Sequence, residues 1–220
     1  MESQFQSETE LQKPLSKCKK GIPIRIGISF TEGTLASLPV KDSEYTIPLP
    51  AGVSVAPYDH VGLNWNPMGH EPTEIYGVPH FDFHFYFISE SLRHHITCAG
   101  TDRAICLQAP EVEYIPAQYA PTPEGVPMMG WHWIDTLSPE WHGMPFVNTL
   151  IQGFYQGNLS FIEPMITQNF LLSKTESSFP IRKAQEFQQR GYYPDAYSIH
   201  YDSAGETYSV TLENLEYRTP

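Results

Sequence analysis

The run from His80 to Phe87 constrains the fold more than any other part of the chain. Its residues alternate with a period of two: His80, Asp82, His84 and Tyr86 on one face of an extended strand, Phe81, Phe83, Phe85 and Phe87 on the other. A wholly aromatic face must be buried against a second layer. The opposite face offers two imidazoles, a carboxylate and a phenol. In a barrel or sandwich such a face lines a cavity; the alternatives are a solvated outer face and a buried hydrogen-bond network without metal.

The rest of the chain fits a β-rich fold. Twenty prolines and 15 glycines are spread along 220 residues, which implies many turns and short elements rather than long helices. Pro23–Phe30 alternates like a first strand, Tyr45–Pro50 reads as a proline-bounded edge segment, and Asp59–Pro79 as a long loop. Strands are expected at Glu111–Ile115, Gly130–Asp135 and Gly157–Thr167, the last broken by a bulge at Pro164. Ser138 and Pro139 begin a short helix, and Pro180–Arg190 is the best longer helix candidate, closed by Gly191. Tyr197–Tyr201 and Thr207–Leu212 make a C-terminal hairpin. The expected fold is mostly β: a single-domain antiparallel barrel or barrel-like sandwich over residues 21–220 with one or two short helices, preceded by a flexible leader at 1–20.

Composition narrows the function. Forty per cent hydrophobic residues suffice for a packed core and exclude wholesale disorder. The formal charge is −12 and the densest basic cluster is Lys17–Lys20, so nucleic acid is not an expected partner. No apolar run approaches the roughly 18 residues of a membrane helix, so no membrane partner is expected either. Met1–Lys20 lacks the hydrophobic core of a secretory signal, which leaves the compartment open between cytoplasm and, if a signal has been removed, export. Cys98 and Cys106 either pair across a hairpin or, the favoured reading, stay reduced as packing residues.

Geometry limits what the polar face can share. Strand residues two apart lie roughly 6.6 Å from each other and four apart roughly 13 Å, whereas a Zn–N bond is about 2.0–2.1 Å. His80 and His84 meet one ion only with a bend or opposed reach, so further donors must come from elsewhere. The candidates are His132 between Trp131 and Trp133, Glu163 before Pro164, and His70 with Glu71 in the long loop. A carboxylate flanked by Phe161, Ile162, Pro164 and Met165 is not ordinary surface, and its burial raises its pKa unless a cation or metal pairs with it. Against these stand plainer roles: His132 as a packed histidine between tryptophans, Glu163 as an acceptor for backbone amides, His60, His70 and Glu71 as loop residues. No HExxH, GxSxG, GxGxxG or Walker A pattern occurs.

At these residues the chain resembles a family. Tyr58–Pro72 and Pro79–Tyr86 look like a small group of uncharacterised bacterial proteins, as do Met129–His132, Phe161–Thr167 and Tyr208–Asn214. The founder of that group is a thermophile hypothetical protein controlled by an extracytoplasmic-function sigma factor. The resemblance implies a β-rich, barrel-like fold, a homo-oligomer and, often, export. It picks out His70, His80, Asp82, His84, His132 and Glu163 as motif positions without assigning roles.

The expected function is a metal-dependent enzyme acting on a small organic molecule by hydrolase, hydratase or lyase chemistry. His80, His84 and His132 would ligate a divalent Zn, Fe or Mn ion. Asp82 and Glu163 would act as general acid–base, and His70, Glu71, Tyr86 and Trp131 would surround the ligand. The alternative is a non-enzymatic, oligomeric metal- or ligand-binding stress-response protein.

Overall fold

A computed structural model describes residues 13–19, 22–50 and 54–220. In chain order the strands are β1 (Lys13–Lys19), β2 (Ile22–Thr31), β3 (Ser43–Pro48), β4 (His60–Asn66), β5 (His80–Tyr86), β6 (Tyr119–Val126) and β7 (Gly130–Asp135). They continue with β8 (Asn148–Tyr155), β9 (Asn158–Thr167), β10 (Ser177–Pro180), β11 (Gly191–Tyr193), β12 (Ala196–Asp202), β13 (Thr207–Glu213) and β14 (Glu216–Arg218). Two antiparallel sheets dominate: a seven-stranded one in the order β3-β4-β5-β9-β8-β7-β6, and a five-stranded one in the order β1-β2-β13-β12-β10. They are not closed into a barrel; they pack as a barrel-like sandwich, mostly β as expected.

The aromatic face of β5 explains the layering. Phe81, Phe83 and Phe85, with Val61, Leu63 and Trp65 of β4 and Ile162 and Ile166 of β9, pack against Ile26, Ile28, Tyr208, Val210 and Leu212 of the facing sheet. The four phenylalanines at 81, 83, 85 and 87 are each no more than 8% exposed. At about 1.5–3 kcal/mol per fully buried large side chain, this face alone fixes the register of β5. A slip by one residue would put the imidazoles and Asp82 into the sandwich core.

The polar face of β5 therefore looks away from the sandwich, yet it is buried as well. Tyr86 on this face packs with Tyr76, Phe146, Ile151, Phe161 and Met165 into a smaller core. The covering residues come from the β4–β5 connection, the 3-10 helix Pro139–His142, the β6–β7 hairpin and the outer faces of β8 and β9. A solvated outer face is thus excluded for His80, Asp82 and His84.

Several local expectations need correction. The long loop begins only after Asn66, because His60–Asn66 is β4, hydrogen-bonded on both sides to β3 and β5. Glu111–Ile115 carries a 3-10 turn at Val112–Tyr114 instead of a strand. The β9 ladder keeps one register past Pro164, and the bulge sits earlier in β9, at Ser160, which is skipped between the pairs Gly153–Phe161 and Phe154–Leu159. Residues 181–190 form no helix. There Gln188 accepts from the Leu159 amide and donates to the Gly157 carbonyl, and the Phe187 ring lies 4.2 Å from that of Tyr193. These tertiary bonds outweigh the weak helical propensity of the segment. Cys98 and Cys106 are disulfide-bonded, across a short helical stretch from Gly100 to Cys106 and not a hairpin. Of the expected leader, residues 1–12 and 20 lie outside the described residues, whereas Lys13–Lys19 pairs with β2.

Candidate metal centre

The register of five adjacent strands, β4, β5, β9, β8 and β7, assembles the site. Asn64 and Asn66 of β4 sit opposite Asp82 and His80, and Asp82 is paired with Met165 of β9. Glu163 faces Ile151 of β8, and His132 of β7 is paired with Gly153. Period-two alternation then points Asn64, Asn66, Asp82, His84, Glu163, Ile151 and His132 to the same side. These residues line a cavity of ≈ 870 Å³, together with His70, Tyr76, Met129, Ile134, Trp141 and Met165.

The ligand-type side chains fall into two trios. His84, His132 and Glu163 place one donor atom each within 4.8 Å of one another, and so do His70, His80 and Asp82. In the first trio His84 Nε2 is 3.3 Å from Glu163 Oε1 and His132 Nε2 is 3.6 Å from Glu163 Oε2. In the second, His80 Nε2 is 3.2 Å from Asp82 Oδ1 and His70 Nε2 is 3.5 Å from Asp82 Oδ2. Asn66 Nδ2 also donates to Asp82 Oδ2, at 2.7 Å.

Burial sets the protonation states. It pushes the His84 imidazole down to about 3 and the His132 imidazole down to about 4, so both are neutral at physiological pH. Burial, reinforced by the charge of Asp82, raises Glu163 well above the usual carboxylate range. Burial works the same way on Asp82, but His70 and His80 outweigh it and hold the carboxyl well below its ordinary value. His70 is itself raised: burial opposes its protonation, and the Asp82 carboxylate more than offsets it.

Packing holds the rings in place. The Tyr86 ring stacks on His84 at 5.4 Å and on His60 at 4.8 Å, with the Arg93 guanidinium 4.6 Å from its centroid. Phe161 meets His84 and His132 edge-on, at 4.9 and 5.0 Å. Room for that ring comes from Gly153, since an added Cβ would lie within 2.5 Å of Phe161 Cδ1, Cε1 and Cζ.

The six motif positions His70, His80, Asp82, His84, His132 and Glu163 are the members of the two trios. The expected single shell of His80, His84 and His132 is not brought together, because His80 belongs to one trio and the other two to the second. Asp82 and Glu163, expected as acid–base groups, each stand between two imidazoles. Glu71 lines the cavity, and its carboxylate accepts from the Thr73 amide. Tyr86 packs behind His84, while Trp131 donates to the Thr122 carbonyl at 2.7 Å; neither lines the cavity. Asn64 and Asn66 were read as residues of the long loop and not as site residues, although His60, Gly62, Asn64 and Asn66 alternate there with apolar Val61, Leu63 and Trp65.

No curated protein and no solved structure matches the chain. No helix among the described residues is long and apolar enough to cross a membrane. The motif blocks after residue 65 lie outside the stretch that a family model covers. Residues 19–65, from the last residue of β1 through most of β4, match the family described as TTHB210-like: Hypothetical protein TTHB210, consistent with an uncharacterised family founded on a thermophile hypothetical protein.

Proposed function

We propose that the protein is a metal-dependent enzyme whose ion is held by His84, His132 and Glu163 and whose substrate is a small, largely apolar organic molecule. One observation carries this reading: His84 Nε2, which faces Glu163, and Glu163 Oε2 are buried without a hydrogen-bond partner. A buried polar atom left unsatisfied costs about 1–3 kcal/mol. Two neutral imidazoles and a carboxylate converging on one point are satisfied together by a divalent cation.

Two nitrogens and one carboxylate oxygen suit Zn, Fe or Mn better than Ca or Mg. Three protein donors leave a coordination position open toward the cavity, which is the arrangement of catalytic rather than structural sites. An ion there supplies Lewis acidity, the chemistry of hydrolases, hydratases and lyases. Met129, Ile134, Trp141, Ile151 and Met165 exclude water and hold the apolar body of the substrate against the ion. The stacked Tyr86 and edge-on Phe161 keep both imidazoles oriented.

Elemental analysis of protein produced without a metal-affinity tag tests the first half, on the natural chain and on His84→Ala/His132→Ala. The expected result is bound Zn, Fe or Mn in the natural chain and about one equivalent less in the variant. A folded protein that takes up none of these ions would sink the reading. The second half is tested by chelating the metal, restoring it, and following turnover of neutral aromatic esters, amides and epoxides. Binding without turnover of any of them would favour the non-enzymatic binding protein.

A further inference from the structure

We infer that the cavity holds a second, separate ion site, formed by His70, His80 and Asp82, so that the protein binds two divalent cations on one wall. The inference deepens the proposed function but rests on its own geometry.

The hydrogen bonds behind the two imidazoles carry it. His80 Nδ1 lies 2.7 Å from the Val78 carbonyl oxygen and His70 Nδ1 lies 2.8 Å from that of Glu71. A carbonyl only accepts, so each Nδ1 carries the proton, and in a neutral ring Nε2 presents a lone pair. Both Nε2 atoms face the same carboxylate, at 3.2 Å from Oδ1 and 3.5 Å from Oδ2. Neither His80 Nε2 nor Asp82 Oδ1 has a hydrogen bond, although both are buried.

Lone pairs turned toward a carboxylate repel it unless positive charge lies among them. Protons satisfy both Nε2 atoms only as two imidazoliums around one carboxylate, one of them on His80, which has no solvent exposure. A divalent cation supplies it at a single point and uses all three donors. The outer contacts match: carbonyl oxygens behind metal-binding histidines and an amide on the ligating carboxylate are the usual second layer of a metal site. Here Val78, Glu71 and Asn66 provide them.

The two sites do not merge. Asp82 and His84 are two residues apart on one face, roughly 6.6 Å, whereas two-ion centres that share ligands hold their metals about 3.5–4 Å apart. No donor belongs to both trios. The sites also differ in access: the His70 side chain is 38% exposed, while His84 and Glu163 are 1% and 3% exposed. The second ion therefore meets solvent first and yields first to a chelator.

The test is titration of the metal-stripped full chain with Zn²⁺ against a chromophoric chelator, with circular dichroism to confirm folding. The natural chain should take two equivalents, and His80→Ala/Asp82→Asn should retain one, the slowly chelated one. His84→Ala/His132→Ala should retain the other. A single equivalent in the natural chain, or two in His80→Ala/Asp82→Asn, would overturn the inference. If the single equivalent disappears in His84→Ala/His132→Ala, the proposed function survives this failure. Should His80→Ala/Asp82→Asn not fold, His70→Ala, on the connection after β4, replaces it. That variant should weaken one equivalent at least ten-fold, and two unchanged affinities would overturn the inference equally.

Discussion

Gly153→Ala tests whether packing behind the imidazoles sets the geometry of the centre. The new Cβ would lie within 2.5 Å of three carbons of the Phe161 ring, against 3.4–4 Å for ordinary contact. The nearest ring carbon, 2.0 Å away, must retreat by about 1.4 Å to reach ordinary contact at 3.4 Å, and in a close-packed interior its neighbours must move with it. Phe161 is fully buried, and the rings it touches are His84, His132 and Tyr86. Overpacking of this kind costs about 1–3 kcal/mol. Displaced supporting groups weaken metal binding about 10–100-fold, because ligand distances hold only within about 0.2 Å of their ideal values.

Two assays read the effect: urea unfolding of metal-free protein and Zn²⁺ titration. Phe161→Leu removes the obstructing ring and should destabilise the chain by itself through lost packing. Combined with Gly153→Ala it should relieve the clash, giving a favourable coupling of about 1–2 kcal/mol in the double-mutant cycle. The reasoning fails if Gly153→Ala stays within about 0.5 kcal/mol of the natural chain with unchanged Zn²⁺ affinity. A strictly additive cycle would refute it as well.

Further outcomes follow from the same geometry. Asn66→Ala removes the 2.7 Å donor to Asp82 and should lower Zn²⁺ affinity at the His70–His80–Asp82 site about ten-fold; an unchanged titration would mean that the amide does not orient the carboxylate. Cys98→Ala/Cys106→Ala opens a short loop and should cost about 2.5 kcal/mol in urea unfolding, and a loss below about 1 kcal/mol would contradict it. In metal-free protein His84 has its pKa lowered from 6.5 to about 3, so the unfolded chain binds one proton more in that window and stability falls as the pH falls through it. His84→Gln should therefore flatten the stability curve there by about 1.4 kcal/mol per pH unit; an unchanged slope would place the charge change elsewhere. Zn²⁺ uptake at the His84–His132–Glu163 site should release a proton at neutral pH, read by calorimetry in buffers of differing ionisation enthalpy, whereas uptake without release would show Glu163 already ionised.

What the sequence revealed depended on how local the physics was. The β5 strand was legible because both of its faces are written in eight consecutive residues, and the C-terminal hairpin because two alternating runs flank a turn. The candidate site residues could be named from unusual settings, such as a glutamate among apolar neighbours. Their partition could not. Whether His80 shares an ion with His84 depends on strand order, which sets His84 near Glu163 of β9 and His132 of β7. It also depends on the turn that brings His70 back over His80, with ring centroids 4.6 Å apart. The 181–190 segment failed for a similar reason: its hydrogen bonds run to residues 157, 159 and 195, which no helical pattern anticipates. The disulfide was weighed from spacing alone, and spacing does not show that residues 100–106 bend Cys98 and Cys106 to a Cα separation of 5.2 Å.

The charge balance of the cavity links these observations. Its lining contains four carboxylates, Glu71, Asp82, Glu124 and Glu163, and no lysine or arginine. The nearby guanidiniums are directed elsewhere. Arg103 holds Glu124 from outside at 2.9 Å, and Arg93 is paired with Glu44 and lies over Tyr86. Asp82 and Glu163, the two deeply buried acids of the lining, have imidazoles as their only basic neighbours among the described residues, with the Asn66 amide on Asp82 besides. Without ions the protein has two remedies of unequal quality: a proton kept on Glu163, consistent with its raised pKa, and imidazolium character around Asp82. Each satisfies part of a trio and leaves other buried atoms unpaired. A core built only for stability would do better with apolar residues of similar volume, since buried charge networks rarely outperform them. Six such groups in two matched sets, with carbonyls and an amide arranged behind the second, fit the proposed cation binding better than a role in folding alone.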